Sequence, residues 1–422
     1  MTRSPLIALA LFGLLAGCGF GGKGGPGDTP GDDAGLDARM IDARMIDGPP
    51  AVTCTKWTPV DDAVTDPCAA GLGTPADLTI NANAVLNTIT GELTMGGNTV
   101  TLPGGPLIDR AGFPSLRVVN LKSFQVDATR TLTFTGPNAV LFLVHGNATI
   151  NGTINASAPL PTATPPAVPG ADSTRCDATR KGTVGMASNA NNRGGGGGGG
   201  GAFGGDGGDG GSGEGGIGGG GKGSKDNGDF PLRGGCSGGR GGDNDSAGNG
   251  NQGGFPGGGG GAFAISARDA LVVAGALMSN GGVGLGGTAP RAGGGGGGAG
   301  GTIALDGATV TLQSTSALCA KGGGGGEASS SINNGNRAPD VTCTVARAVG
   351  GSGGTTTAGD GGVGGSGATI NGDTGGVGEA DMGIEGGGGG GGGGAGRVVL
   401  RARMAGGLNN ASLIVTPTPT VL

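Results

Sequence analysis

Four stretches of this chain decide its fold: NAVLFLVHGNATINGTINAS at 138–157, GAFAISARDALVVAGALMSNGG at 261–282, GTIALDGATVTLQSTSALCAKGG at 301–323 and GRVVLRARMAGGLNNASLIV at 396–415. Each opens on an apolar pair two residues apart: Val140 and Phe142, Phe263 and Ile265, Ile303 and Leu305, Val398 and Leu400. Side chains alternate faces along a strand, so both members of a pair point to one side. A polar turn follows, then a second short strand and often a third. One such unit cannot bury its apolar face alone, but stacked units can. The expected fold is therefore all-β, a right-handed parallel β-helix (a solenoid) in which the four pairs form continuous ladders. A β-sandwich and a two-domain arrangement are the competing topologies.

Outward from these units, residues 78–154 alternate β-branched and aromatic runs such as LRVVNL, TLTFTG and AVLFLV with Asn, Gly and Pro. That pattern predicts half-buried strands and leaves no room for an ordinary helix. The first β-rich part spans 53–159, further coils span 261–322, and the last coil and a Pro-rich end occupy 396–422. In that end, Thr416 to Pro419 reads as an edge stopper, because proline cannot donate to a further strand. Between the coils lie two insertions, 160–260 and 323–395, dominated by runs such as Gly194 to Gly201 and Gly386 to Gly394. Loop-closure cost grows only logarithmically with length, so a stack can carry excursions of this size.

Glycine supplies 111 of the 422 residues, against an average usage of about 7 %, so the insertions cannot pack as an ordinary core. Glycine loses the most backbone freedom on folding, and long tracts must stay loose or be locked by dense backbone hydrogen bonding. These regions resemble glycine-rich surface proteins, including the polyglycine regions of phage tip adhesins and of some receptor ectodomains. The resemblance implies polyglycine-II-like packing of extended strands side by side. It rests on composition, and disorder is the alternative.

The net charge is −6 and no Lys/Arg cluster occurs, so a nucleic-acid partner is not expected. Motifs that spell chemistry lack their context. GIGGGGKG at 216–223 approaches a phosphate loop, but Gly223 stands where Ser or Thr would hold magnesium. GCSGG at 235–239 and GGSGG at 350–354 spell a nucleophile elbow without a strand-to-helix turn. The single histidine, His145, reads as a turn residue. Asp206, Asp209, Asp243, Asp245 and Asp360 offer oxygens to calcium, but without the spacing of a β-roll or EF-hand loop. At equivalent turn positions the units are expected to place His145, Arg268, Asp306 and Arg401, which contains no acid–base carboxylate pair. No catalytic residue, cofactor site or metal site is assigned. The rival classes are a β-helix carbohydrate-active enzyme (polysaccharide lyase or hydrolase), for which Asp269 or Asp306 would have to act, and a flat solenoid that binds ice or another solid. The absence of regular Thr-x-Thr ladders speaks against the last.

Arg3, the apolar run from Leu6 to Ala16, and Leu15, Ala16, Gly17, Cys18 resemble the signal and lipobox of bacterial lipoproteins. The resemblance makes residues 1–18 a signal peptide, Cys18 the lipidated mature N-terminus, and the membrane a partner through that lipid anchor. Gly19 after the cysteine implies outer-membrane sorting, on the periplasmic or cell-surface face. Residues 19–52 carry six aspartates against Lys23, Arg39 and Arg44, a net of −3, and a tandem DARMI at 37–46; they read as a flexible acidic tether. Export makes the other six cysteines, Cys54, Cys68, Cys176, Cys236, Cys319 and Cys343, a disulfide set. Fifteen pairings are possible, and nearness in sequence suggests 54 with 68, 176 with 236, and 319 with 343. The functional expectation is a non-catalytic, lipid-anchored envelope or cell-surface protein, structural or adhesive, that contacts extracellular matrix or an envelope polymer.

Overall fold

The computed structural model describes residues 54–162, 167–188, 193–226, 232–244, 253–354, 357–381 and 384–422. Cys18, the tether and Asp245 lie outside them. The described residues are essentially all-β: the one helical element among them is a turn of 3-10 helix at Ala70–Leu72, and the strands form a curled, almost wholly parallel arrangement.

The four apolar pairs align. Phe263 is in register with Val140 and with Ile303, and Ile303 with Val398. Val119, Phe142, Ile265, Leu305 and Leu400 form the parallel ladder beside them. These ladders belong to a first column of strands: the start of Leu116–Val126, then Ala139–Val144, Ala262–Ala267, Thr302–Gly307, Arg397–Ala402 and Thr420–Val421. A second column stacks Ala76–Ile80, the end of Leu116–Val126, Ala148–Ile150, Ala270–Val273, Thr309–Leu312 and Leu408–Asn410. A third stacks Ala84–Asn87, Thr131–Thr135, Thr153–Asn155, Ala276–Met278, Ala317–Cys319 and Ile414–Thr416. The chain visits the columns in the order first, second, third, and repeats. One face of each column points into a shared apolar interior, where Phe124 stacks on Phe142 with ring centroids 4.7 Å apart.

At the start of the stack the third column ends in an antiparallel hairpin, Glu92–Met95 and Asn98–Thr101. Gly96 (φ 57°) and Gly97 (φ 86°) form its two-residue turn, where two consecutive positive φ values are what a hairpin turn of this handedness needs. At the other end Pro417 to Pro419 do not stop pairing. They carry the chain from the third column to the first, where Thr420–Val421 pairs with Val399 and Leu400. Proline removes donors only at its own positions, so a strand can resume beyond it.

The first column is buried on both faces, which the half-buried pattern does not anticipate. Its outer side chains Leu116, Val118, Leu141, Leu143, Ala264, Ala304 and Val399 pack under Val60, Val64, Leu72 and Leu232. The continuous apolar run AVLFLV, rather than an alternating one, is the sequence correlate. Segment 54–72 thus works as a clasp on the stack. Inside it Asp61, fully buried, accepts from Arg110 Nη1 at 2.9 Å and from Leu232 N at 3.2 Å.

All glycine excursions leave after a third-column strand and return before a first-column strand. There are three such excursions among the described residues rather than the two expected, because 279–301 also leaves the stack. The runs are ordered by backbone hydrogen bonds that rotate through three directions. Gly195, Gly198 and Gly201 donate to Arg291, Gly294 and Gly297; Gly196 and Gly199 donate to Met186 and Thr183; Gly197 and Gly200 donate to Gly211 and Gly208. Their carbonyls accept in the same rotation from 388–394, from 239 and 242, and from 220 and 223. Segment 195–201 therefore has six neighbours, at N···O distances of 2.7–3.0 Å. Segments 293–300 and 387–394 are each surrounded in the same way, and the three touch one another.

Side chains are absent because there is no room for them. A Cβ on Gly197 would lie 1.9 Å from Gly389 O, and one on Gly198 2.1 Å from Gly239 O. Gly198→Val is predicted to destabilise the protein by at least about 3 kcal/mol. Gly221→Ala, whose Cβ meets only Thr183 Oγ1 at 3.6 Å, is predicted to stay within about 0.5 kcal/mol of the parent in chemical denaturation.

Candidate functional site

At the edge of the glycine bundle, side chains return at every third residue. Segment 205–213 reads GDGGDGGSG, and Asp206, Asp209 and Ser212 fall one turn apart on a strand that turns once in three residues. Its neighbour 370–378 carries Asn371, Thr374 and Val377 at the same spacing, and the two are tied by Gly372 N to Asp206 O, Gly375 N to Asp209 O and Gly378 N to Ser212 O. On the other flank Lys222 N donates to Asp209 Oδ1 at 2.9 Å and Lys225 N to Asp206 Oδ1 at 2.7 Å. Three adjoining rows result, one with lysines, one with carboxylates and one with neutral groups. Successive side chains in a row are about 9 Å apart at the rise of such a strand. Asp209, Lys222, Asn371, Thr374 and Val377 are exposed. The rows form a regular polar face on a backbone whose intervening glycine amides, 207, 208, 210, 211, 372, 375 and 378 among them, are tied to neighbouring strands.

Three of the carboxylates considered for calcium have local partners. Asp206 and Asp209 close edge amides of 222–225, and Asp243 Oδ1 accepts from Gly253 N at 2.8 Å. Among the described residues no group of three His, Cys, Asp or Glu could hold a metal ion. The glycine motifs are bundle strands: Ser237 N donates to Asp172 Oδ1 and its carbonyl accepts from Gly182 N, and Gly351 N donates to Gly325 O.

The structure joins Cys54 to Cys68, Cys176 to Cys236 and Cys319 to Cys343, the pairs nearest in sequence. The second lies within the bundle and the third ties residue 319 of the stack to the third excursion. Stack and bundle also meet at Asp226, whose carbonyl accepts from Arg397 Nη2 of the first column and whose carboxylate pairs with Arg233, Arg175 and Arg180 of its own excursion. The Arg233 and Arg397 guanidinium groups lie 4.3 and 4.9 Å from the Phe203 ring centroid. Burial lowers the Arg233 guanidinium to about 10 despite that carboxylate.

The expected row of His145, Arg268, Asp306 and Arg401 at equivalent turns is corrected by the register. Asp306 lies within a strand, opposite Ser266 and Arg401, two positions before the site opposite Arg268, because the strands Ala262–Ala267 and Thr302–Gly307 end in register and the turn after Asp306 starts only at Ala308. Asp306 is fully buried and accepts from Ser266 Oγ, from Arg401 Nε at 2.9 Å and from Arg403 Nη1 at 2.6 Å. Asp269 pairs with its neighbour Arg268. His145 is buried under the clasp, edge-on to Trp57 with ring centroids 5.0 Å apart. Trp57 Nε1 in turn donates to Ser266 Oγ at 3.4 Å. The rows of side chains and this polar network under the clasp are both absent from the sequence reading. The GDGGDGGSG spacing was the available signal for the first, and none was available for the second.

Compared with protein-family models, with curated proteins and with solved structures, the chain gives no match.

Asp306→Ala leaves two guanidinium groups without their shared carboxylate and is predicted to cost about 3–5 kcal/mol, read by denaturation and by a shift of Trp57 emission. Burial, reinforced by the charge of Arg268, lowers the His145 pKa below its ordinary 6.5. The folded protein therefore resists protonation of His145 while the unfolded chain accepts it. Its contribution to stability is complete above about pH 6.5 and falls as pH drops toward the folded-state value. Thermal midpoints measured between pH 7 and pH 5 are predicted to fall for the parent, and to fall less for His145→Gln.

Proposed function

We propose that this is a non-catalytic, lipid-anchored protein of the bacterial envelope, carried on Cys18 at the outer membrane, whose body presents a rigid face to extracellular matrix or an envelope polymer. In this reading the three columns are a right-handed parallel β-helix and the excursions are a bundle of polyglycine-II strands. The order in which the chain visits the columns supports the first, and the threefold rotation of hydrogen bonds with six neighbours per central strand supports the second. The lipobox at 15–18 and the acidic tether at 19–52 support anchoring at a distance from the membrane.

The observation that carries the functional reading is the triple row of side chains at every third residue. A disordered loop would display the same groups at a greater entropic cost to any partner, whereas a locked lattice presents them preorganised. The partner class that suits it is a polymer with a repeat of its own, contacted at many weak points in register. A β-helix enzyme acting on polysaccharide would need an accessible carboxylate pair, and Asp306 is buried between two arginines.

Cys18→Ser is predicted to move the protein from the membrane fraction to the soluble fraction. The double variant Asp209→Lys, Thr374→Glu is predicted to keep the parent's thermal midpoint within a few degrees and to lower retention on purified envelope polymer and matrix at least fivefold. Equal retention, or turnover of the polymer by the parent, would overturn the reading.

A further inference from the structure

The three disulfides differ in their surroundings. Cys176 and Cys236 are buried, as is Cys319, whereas Cys54 is exposed and Cys68 half-buried. Only the bond 54–68 has an imidazole against its sulfur among the described residues, with His145 Nδ1 3.5 Å from Cys54 Sγ. The tautomer follows from the partners. Asn120 Nδ2 donates to Gly73 O at 2.9 Å and to Leu72 O at 3.3 Å, so Asn120 Oδ1 is the atom that meets His145 Nε2 at 2.8 Å. An amide oxygen only accepts, so Nε2 carries the proton and Nδ1 turns a lone pair to the sulfur. A disulfide sulfur has no hydrogen to give. The buried acceptor is therefore unmet in the oxidised protein, and it would be met by a Cys54 thiol.

We propose that Cys54–Cys68 is a redox-active disulfide, with Cys54 the exchanging cysteine, Cys68 the resolving one and His145 the positioned acceptor for the Cys54 proton. The co-reactant is a dithiol. One of its thiolates attacks the exposed Cys54 Sγ, and the 54–68 bond breaks with its electron pair on Cys68, which takes a proton. The second thiol then attacks the mixed disulfide and releases Cys54. The dithiol leaves as a disulfide, two electrons pass to the cysteine pair, and its two protons end on Cys54 and Cys68, the former directed at Nδ1. In the reverse direction Nδ1 holds the Cys54 thiol by a hydrogen bond and takes its proton only as the sulfur attacks, because burial and Arg268 disfavour a resting imidazolium. The groups that set the charge around His145 are Arg268, paired with Asp269, and Cys54 itself. The bond closes segment 54–68, so its state bears on the clasp over the first column, and Trp57 lies between the two.

The test is a redox titration of the detergent-solubilised full chain in dithiothreitol buffers, with alkylation and mass spectrometry to assign each cysteine. The expected result is that Cys54 and Cys68 become labelled at a poise where the other two disulfides stay closed. His145→Gln keeps a donor for Asn120 and removes the acceptor for Cys54. It is expected to shift the equilibrium about tenfold toward the disulfide, about 30 mV for two electrons. Simultaneous opening of all three bonds, or no shift in His145→Gln, would overturn the proposal. Should that variant fail to fold, the pH profile of Cys54 alkylation in the reduced parent decides. A thiol titrating above the ordinary value of about 8.5, as a hydrogen bond from S–H to a neutral imidazole requires, supports the assignment, and titration at or below that value contradicts it.

Discussion

Every peptide unit carries a donor and an acceptor that must be satisfied once water is excluded, and a tract without side chains has nothing else with which to stabilise itself. This constraint governs the glycine bundle. Fixing each residue costs about 1–2 kcal/mol of backbone entropy, and glycine costs the most. The compensation available is a complete set of hydrogen bonds in a dry environment. A strand that turns once in three residues can send its amides in three directions and receive in three more, provided that no Cβ separates it from its neighbours. Segment 195–201 meets that condition at each residue. The composition that looks like a recipe for disorder is also the only one that permits this packing.

Such a lattice needs its strands held at the right ends, and the β-stack does that. The three excursions leave and re-enter at one corner, between the third and first columns, so the spacing of stacked strands is handed directly to the bundle. The handover is visible in bonds that bridge the two: Ser279 N to Cys319 O and Gly301 N to Ser279 O are continuous with the sheets on one side and the glycine runs on the other. The disulfide 319–343 ties the same joint covalently, and the Arg397 guanidinium ties it by donating to the Asp226 carbonyl. The clasp over the first column adds a further layer, with Asp61–Arg110 and Asp306–Arg401–Arg403 supplying charge in its dry interior.

What was legible in the sequence was what has a short period. The pairs at 140, 263, 303 and 398 announce a ladder because period two is unambiguous inside apolar runs, and nearness in sequence anticipated the disulfide pairs. The excursion 279–301 is not legible because Val283, Leu285 and the 288–291 turn interrupt it, so it does not look like a glycine tract although it supplies a central strand. The position of Asp306 is not legible because turn length varies between units, so the polar residues that mark the turns do not fall at one register. The clasp could not be seen at all: its partners are separated by up to hundreds of residues, as Trp57 is from Ser266, and no local pattern encodes that distance. The polar rows were written plainly in GDGGDGGSG, but a period of three has meaning only once the strand is known to turn once in three residues.

The central claim is that the glycine tracts form a hydrogen-bonded lattice continuous with the stack. Amide hydrogen exchange measured residue by residue tests it most directly. The account predicts that the amides of 195–201, 294–300 and 388–394 exchange as slowly as those of the strand Ala139–Val144 and are released in the same cooperative opening. Exchange of those glycines at the rate of an unstructured chain, while the strands remain protected, would contradict it.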